Sequence, residues 1–314
     1  MVTVNFILNG KPVSAEADGL TLLKYLRGVA CLKGAKEGCS TGHCGACTVL
    51  LDGKPVRSCV TRMDKLEGKS VVTIEALHGA DGGLHPIQQA FLDIGAVQCG
   101  FCTPGMIMAA KALLCKTVNP TEEDIYDGLR HNYCRCTGYV KIIEGVKLAA
   151  ARLRGEDVPL TAVQVNDPTE IVTGKGQTVP KIEGRFVGKS VWDVDGLAKT
   201  AGTLKYCDDY EADEFGAERM LHGAFVFAPV PHARINAVDY SAAESAPGVA
   251  RIVTHKDVPG LNKIGTWTPD QPVFCSDEVR FLGDFVAMVV ADTPEHARAA
   301  VKLVKIDYTE LPGI

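Results

Sequence analysis

The sequence predicts a multidomain α+β protein with a small strand-rich domain, an all-helical domain of four helices and a final α/β domain. Three features of the apolar residues indicate this order. They alternate with period two in the first part of the chain, recur with the helical period of 3.6 residues from about Pro86, and form strand-like runs again near the end. We therefore predict domains at 1–76, 77–155 and 186–314, with a linker at 156–185.

The first domain is predicted to open with a β-hairpin. Val2, Val4, Phe6 and Leu8 alternate with polar residues, and the Asn9-Gly10 pair that follows is typical of a type I′ turn. The other elements of this domain are predicted as one helix and two strands, at Thr21–Arg27, Cys47–Leu51 and Val71–Ile74. Strands wrapped on one helix indicate a small α+β domain.

The second domain is predicted to contain only helices, at Ile87–Ile94, Gly105–Cys115, Glu122–His131 and Val140–Arg154. Thr121 fits the N-cap position of the third helix, because Asp124 follows three residues later. Gly155 is well placed to end the fourth helix, since glycine readily adopts the left-handed conformation there.

Beyond the helices, residues 156–185 lose all periodicity and mix Asp, Pro, Thr and Gly, which predicts an extended linker. The final domain has strand-like runs at Leu221–Phe227, Val249–Thr254, Phe285–Ala291 and Val304–Tyr308. A helix is predicted at Thr293–Leu303, because Pro294 is favoured in a first helical turn. This domain should therefore contain a strand–helix–strand element.

Composition and charge exclude several classes of partner. The 314 residues are 46% hydrophobic with a net charge of −5, and no basic stripe favours nucleic acid or anionic lipid. The longest apolar run, Phe285 to Ala291, is far shorter than the roughly 20 residues that span a bilayer. The N-terminus lacks the basic start and continuous apolar run of a secretory signal. We expect a cytoplasmic protein without nucleic-acid or membrane partners.

Twelve cysteines are many for such a protein, because the reducing cytosol disfavours disulfides and leaves metal binding as the usual role. The first group consists of Cys39, Cys44, Cys47 and Cys59, with the C-x4-C-x2-C spacing of plant-type [2Fe–2S] proteins. Gly38, Gly42 and Gly45 should allow positive φ, so that amide N–H groups can point at the sulfurs. A four-thiolate zinc site is the alternative.

The second group consists of Cys99 and Cys102, followed after 31 residues by Cys134 and Cys136. Each pair precedes a predicted helix, so the positive ends of two helix dipoles would face one anionic cluster. Taken alone, the spacing C-x2-C…C-x-C leaves zinc open as well.

Three stretches of sequence resemble the molybdenum hydroxylases, the family of xanthine dehydrogenases and aldehyde oxidoreductases. They are Gly38–Cys47, the pair Gln98–Gly105 with Cys134–Tyr139, and a set after residue 186 that includes Gly202–Tyr206, Pro231–Ile235 and Asp307–Pro312. The resemblance implies a β-grasp [2Fe–2S] ferredoxin-like domain, a helical [2Fe–2S] domain and an α/β hammerhead domain.

The resemblance also implies roles for individual residues. Cys39, Cys44, Cys47 and Cys59 would hold the outer cluster, and Cys99, Cys102, Cys134 and Cys136 the cluster nearer the molybdenum cofactor. Gln98 and the backbone of Cys136 would contact molybdopterin. No FAD domain is expected, because only the linker occupies its place in the family, an order closest to the flavin-less aldehyde oxidoreductases. The family's molybdenum-binding domains lie beyond the hammerhead, so no residue here is a catalytic candidate.

The expected function is the electron-transfer portion of a molybdenum-dependent oxidoreductase that acts on aldehydes, purines or other heterocycles. Expected partners are a molybdopterin-binding domain or subunit, a ferredoxin or flavodoxin-like acceptor, and a second copy of the chain. The alternatives are an independent ferredoxin-like electron carrier and a zinc-stabilised interaction module. The sequence leaves open whether the chain belongs to a longer polypeptide or whether a separate subunit supplies the molybdenum half.

Overall fold

The computed structural model describes residues 3–17, 19–77, 83–156, 158, 167–170, 178–181 and 191–313. It divides into two compact units, Met1–Asp209 and Tyr210–Ile314. No helix in the described part of the chain is both long enough and apolar enough to cross a membrane.

The first domain is a five-stranded mixed sheet with one helix, so the predicted α+β class is confirmed and one strand more than predicted is present. Its elements are β1 (Thr3–Leu8), β2 (Lys11–Glu16), α1 (Leu22–Gly28), β3 (Thr48–Leu51), β4 (Lys54–Arg57) and β5 (Ser70–Val72), with strand order β2-β1-β5-β3-β4. Helix α1 buries Leu22, Leu23 and Leu26 in the core that the sheet lines. Asn9 and Gly10 have φ of 52° and 77°, which confirms the type I′ turn.

The second domain contains four helices, which confirms the all-helical prediction. They are α2 (Pro86–Ile94), α3 (Thr103–Lys116), α4 (Glu122–Leu129) and α5 (Val140–Leu153). Thr121 caps α4 in a reciprocal capping box with Asp124, and Gly155 adopts φ 81° just after the end of α5. Leu50 and Ile74 of the first domain join the helical core, so the two domains pack as one body.

Two short strands and a helix follow α5. The backbone of β6 (Asp167–Glu170) pairs antiparallel with β7 (Thr178–Lys181) inside the segment predicted as a linker. Helix α6 (Gly196–Ala201) belongs to residues 191–209, which we call the returning segment. The sequence groups this segment with the final domain, but in the structure it lies within the unit that carries both cysteine groups.

The second unit contains two antiparallel sheets and two helices. Its elements are β8 (His222–Phe227), β9 (Ala233–Asp239), α7 (Ser241–Glu244), β10 (Val249–Val253), β11 (Glu278–Val279), β12 (Phe285–Ala291), α8 (Pro294–Val301) and β13 (Lys305–Glu310). The sheets have the orders β10-β12-β8 and β11-β9-β13. The predicted strand–helix–strand element is present, but α8 joins strands of different sheets rather than two neighbours.

Candidate metal centres

The first cysteine group lies in the loop between α1 and β3 and in the turn after β4. Cys47 directly precedes β3 and is buried with Cys59, whereas Cys39 and Cys44 are partly exposed. The thiols meet two by two, since the Cys47 thiol contacts that of Cys59 and the Cys44 thiol contacts that of Cys39. The hairpin of β3 and β4 therefore returns Cys59 to the group, as the sequence predicted.

The backbone of this loop follows the prediction at two of three glycines. Gly42 and Gly45 adopt φ of 79° and 73°. The prediction is wrong for Gly38, which does not have a positive φ. Glycine is needed there because a Cβ would lie only 2.9 Å from Cys44 Sγ. The backbone N–H groups of Thr41 and Cys44 both point at Cys39 Sγ, at 3.4 Å.

The second group is assembled at the N-termini of two helices. Cys102 is the N-cap of α3, and Cys134 and Cys136 come shortly before α5. The sulfur of Cys136 lies 3.5 Å from that of Cys99, and the thiols of Cys102 and Cys134 are also in contact. Each pair therefore lies close to the start of a helix, as predicted, where the positive end of a helix dipole favours negative charge.

Tyr139 supports this second group in a way that the sequence analysis missed. It is the N-cap residue of α5 and adopts φ 70°, a left-handed conformation that is costly for a bulky side chain. Its hydroxyl accepts a hydrogen bond of 2.8 Å from the backbone N–H of Cys134. This hydrogen bond closes the turn between Cys134 and Tyr139 and fixes the position of the Cys134 backbone.

Each group contains a thiol whose pKa is lowered and a thiol whose pKa is raised. Hydrogen bonds from the Cys44 and Thr41 backbone and the Thr41 side chain lower the pKa of Cys39 to about 5, whereas burial raises the pKa of Cys47 to about 12. In the second group, burial raises the pKa of Cys102. Burial also acts on Cys134, but the hydroxyl and amide of Thr137 outweigh it and the pKa is lowered.

The pairing of the thiols fits a binuclear cluster. Among the described residues, no three His, Cys, Asp or Glu side chains converge as a single metal ion requires. The eight thiols of the two groups come together in four pairs, Cys39 with Cys44, Cys47 with Cys59, Cys99 with Cys136, and Cys102 with Cys134. A [2Fe–2S] centre takes two cysteines on each iron, so this donor set matches its needs.

The two groups are joined by a short seam of hydrogen bonds to backbone carbonyls of the first cysteine loop. The backbone N–H of Tyr133 donates to the carbonyl of Cys44 at 2.9 Å, and Tyr133 directly precedes Cys134. Asn132 is buried and donates through Nδ2 to the carbonyl of Gly45 at 2.9 Å. One hydrogen bond therefore links a residue of the first group to the neighbour of a residue of the second.

Glycines allow this close approach. A Cβ added to Gly45 would lie 2.2 Å from the carbonyl oxygen of His131, and one added to Gly105 would lie 2.3 Å from that of Gly45. Both distances are far below van der Waals contact, so neither position accepts a side chain without movement of the backbone. The spacing of the two groups is thus fixed by main-chain contacts.

Gln98 and Cys136, the residues that the resemblance connects with molybdopterin, are both exposed. Gln98 directly precedes Cys99, whose sulfur lies next to that of Cys136. The exposed edge of the second group is therefore formed by Gln98, Cys99 and Cys136.

The returning segment also reaches the second group, which sequence reasoning did not foresee. Tyr206 donates its hydroxyl hydrogen to the carbonyl of Cys99 at 2.6 Å. Gly202–Tyr206 stood out only as part of the resemblance and was assigned to the final domain. No signal in the sequence could have found this contact, because the segment is anchored by the pairing of Asp209 with Lys36 of the first cysteine loop, which forms only in the folded chain.

Comparison with known proteins finds three family models that match successive parts of the chain. Residues 6–71 match the family model described as 2Fe-2S iron-sulfur cluster binding domain, and 73–147 match the [2Fe-2S] binding domain. Residues 201–312 match the a/b hammerhead domain of aldehyde oxidase and xanthine dehydrogenase.

Three relatives show how far the similarity extends. The aldehyde oxidoreductase of Megalodesulfovibrio gigas is 40% identical over 100% of this chain and 34% of its own length. The nicotinate dehydrogenase small FeS subunit of Eubacterium barkeri is 45% identical over 48% of this chain and 96% of its own length. The solved aldehyde oxidoreductase from Desulfovibrio desulfuricans ATCC 27774 has a TM-score of 0.85 at 38% identity and covers 99% of this chain and 34% of its own.

The fold and the paired thiols define an iron–sulfur protein with two [2Fe–2S]-binding domains and a hammerhead domain. The chain belongs to the molybdenum hydroxylase family. It spans about a third of the length of the two aldehyde oxidoreductases that it matches throughout.

Proposed function

We propose that this chain is the electron-transfer portion of a molybdenum hydroxylase of the aldehyde oxidoreductase or xanthine dehydrogenase type. In this proposal it accepts electrons from a molybdopterin site and passes them to an external acceptor. The observation that carries the proposal is the presence of two sets of paired thiols joined by one hydrogen bond, from Tyr133 N to the carbonyl of Cys44. When bound, a [2Fe–2S] cluster supplies one-electron transfer.

In this proposal the first cluster is held by Cys39, Cys44, Cys47 and Cys59, and the second by Cys99, Cys102, Cys134 and Cys136. The chain's own groups prepare both sites for negative charge. Backbone N–H groups of Thr41 and Cys44 stabilise the sulfur of Cys39, and Thr137 donates from its hydroxyl at 3.1 Å to the sulfur of Cys134. Hydrogen bonds to sulfur of this kind tune the potential of a cluster.

The molybdenum side of the proposal involves Gln98 and Cys136. Their exposure beside Cys99 supports a role at the edge that receives electrons, with the side chain of Gln98 and the backbone of Cys136 contacting molybdopterin. A molybdopterin-binding domain or subunit would cover this edge. Relatives described as small FeS subunits, such as that of Eubacterium barkeri, support an arrangement with a larger partner.

The first group would face the external acceptor, for which a ferredoxin or a flavodoxin is the proposed type. The acceptor-side edge consists of Cys39 and Cys44, which are partly exposed, together with exposed His43. Eight thiols that must stay reduced before cluster insertion favour the cytoplasm as the location. We also propose that the assembled enzyme is a homodimer, which sedimentation of the purified protein tests directly.

The decisive experiment is to purify the chain without oxygen, assay iron, sulfide, zinc and molybdenum, and record its EPR spectrum after dithionite reduction. We expect about four irons per chain and two distinct rhombic signals. Zinc without an EPR signal would overturn the proposal. Two clusters in a chain that never associates with molybdopterin or a molybdenum-containing partner would instead favour an independent carrier.

A further inference from the structure

The returning segment packs in a recess that the two iron–sulfur domains form together. Gln88 is completely buried and donates through Nε2 to the carbonyl of Thr200 at 3.2 Å. A Cβ at Gly202 would lie 2.5 Å from a methyl group of Ile74, so the backbone of this glycine packs directly against Ile74 at the end of the first domain. The contact is therefore close enough to fix the position of the residues that follow.

Within this segment, Tyr206 lies against the loop that carries Cys99 and Cys102. Its hydroxyl donates to the carbonyl of Cys99 at 2.6 Å, and its ring packs edge-on against Phe101 with 5.1 Å between centroids. Gly100, between these contacts, adopts φ 81°, and a Cβ there would lie 2.8 Å from the Tyr206 hydroxyl. The loop and the tyrosine are thus fitted to each other.

A buried ion pair between Lys36 of the first domain and Asp209 holds Tyr206 in place. Lys36 and Asp209 are 2% and 1% exposed, and Lys36 Nζ lies 2.7 Å from the carboxylate of Asp209. Asp209 also accepts a hydrogen bond of 2.9 Å from the backbone N–H of Tyr206. Lys36 lies 4.9 Å from the centre of the Tyr206 ring, within cation–π distance.

Further contacts make this anchor rigid. Arg27 donates to the second oxygen of Asp209 at 2.7 Å, so both carboxylate oxygens are used. Lys36 also donates to the carbonyl of Leu204 at 3.1 Å. A buried charge pair with satisfied hydrogen bonds fixes one geometry, because breaking any member leaves an uncompensated charge in the interior.

We infer that Tyr206 is a positioning residue for the second cysteine group, and that it sets the electrostatic environment of Cys99 from outside the helical domain. This inference rests on the proposed function, since it requires a cluster at Cys99, Cys102, Cys134 and Cys136. Cys99 is exposed and precedes α3, so the helix does not hold its backbone. The hydroxyl of Tyr206 fixes the carbonyl of Cys99, and the positive hydrogen of the hydroxyl compensates the partial negative charge of the carbonyl oxygen.

The consequence concerns the reduction of the second cluster. A carbonyl that loses its hydrogen-bond donor presents more negative charge to a cluster nearby, and reduction adds a further electron to that cluster. Removing the hydroxyl should therefore make the second cluster harder to reduce, while the first cluster keeps its potential.

The test compares Y206F with the wild type and with Y126F, which removes a hydroxyl from an exposed tyrosine on α4 of the same domain. EPR-monitored redox titration follows both signals, and the second is assigned by its loss in C136S. We expect Y206F to retain iron and both signals, with a more negative midpoint potential and altered g-values for the second cluster alone. Y126F should match the wild type.

A second measurement covers the case in which Y206F loses iron. Hydrogen exchange of the backbone amides of residues 99–102 should be faster in Y206F than in Y126F, because the loop has lost its outside anchor. Unchanged potentials with unchanged exchange would overturn the inference while leaving the proposed function intact. A wild-type chain with fewer than two EPR signals would overturn the proposed function, and the inference with it.

Discussion

The two cysteine groups solve the same problem by different means. The first is a local structure, with three of its thiols inside nine residues and its sulfurs faced by the backbone of their own loop. The second has no such loop. Its pairs are separated by 31 residues, one pair before or at the start of α3 and the other before α5, and they meet only in the folded chain. The first group therefore depends on chain conformation, whereas the second depends on tertiary packing.

The cysteines of the two groups also differ in how far they are buried. Cys47 and Cys59 are buried in the first group, while Cys99 and Cys136 of the second are exposed. A locally wrapped site can place half of its ligands in a domain core. A site made from helix ends stays at a surface, where neighbouring segments and partners can act on it.

The largest expected effect comes from removing one ligand of each group. C47S and C136S should each abolish one of the two EPR signals and leave the other, because the groups share no thiol. C47S should also lower the free energy of unfolding by about 2 kcal/mol, because it places a hydroxyl in the buried position of Cys47. C136S should lower it less, because Cys136 is exposed. EPR and thermal melts measure both effects. C115S, at an exposed cysteine outside both groups, is the control and should retain both signals.

The seam between the groups offers a more moderate test. G45A should lower the free energy of unfolding by about 3 kcal/mol, because the new methyl group meets the carbonyl of His131 and the residue keeps a φ of 73°. Gly53 has a similar φ of 76° with open space around it, so G53A should cost only about 1 kcal/mol. Denaturant unfolding gives the two values. Equal losses would show that backbone strain, and not the contact between the domains, determines the cost.

The smallest expected effect is a pH dependence of stability that arises in the helical domain, at His85. Burial, with a smaller contribution from Lys111, lowers the pKa of His85 at the start of α2 to about 4. The folded state therefore prefers neutral His85, and this stabilisation is complete above about pH 6.5 and is lost as the pH falls toward 4. For this partly buried group we expect a stabilisation of about 1 kcal/mol. H85N keeps an N-cap acceptor and should flatten the melting temperature of the helices between pH 6.5 and 4.5. A variant as acid-sensitive as the wild type would exclude His85 as the cause.

The same contrast explains how much could be predicted from the sequence. The turn at Asn9-Gly10, the N-cap at Thr121 and the start of α5 at Val140 are local features, and the structure confirms them. Helix α3 begins at Thr103, two residues before the predicted start at Gly105. Gly38 was predicted for the wrong reason, because its need for space arises from Cys44, which only the folded loop brings close.

Two features that depend on distant parts of the chain were not foreseen, although the meeting of the cysteine pairs was. Strand β9 was not predicted, and its place in the sheet is set by pairing with β11 and β13. The anchor of Lys36 with Asp209 joins residues 173 apart in sequence. Neither residue belongs to a periodic pattern, so no local rule could predict that they meet.

The returning segment follows the stretch of residues 157–190 in sequence yet folds with the cysteine-bearing domains that precede it. If a gene were split within that stretch, one product would carry the recess around Gln88 and Lys36, and the other would carry Tyr206 and Asp209. Contacts that now form within one polypeptide would become an interface between two. The second cysteine group would then acquire its outer anchor only on assembly, so that gene fission at this place would make subunit association a condition for a complete redox site.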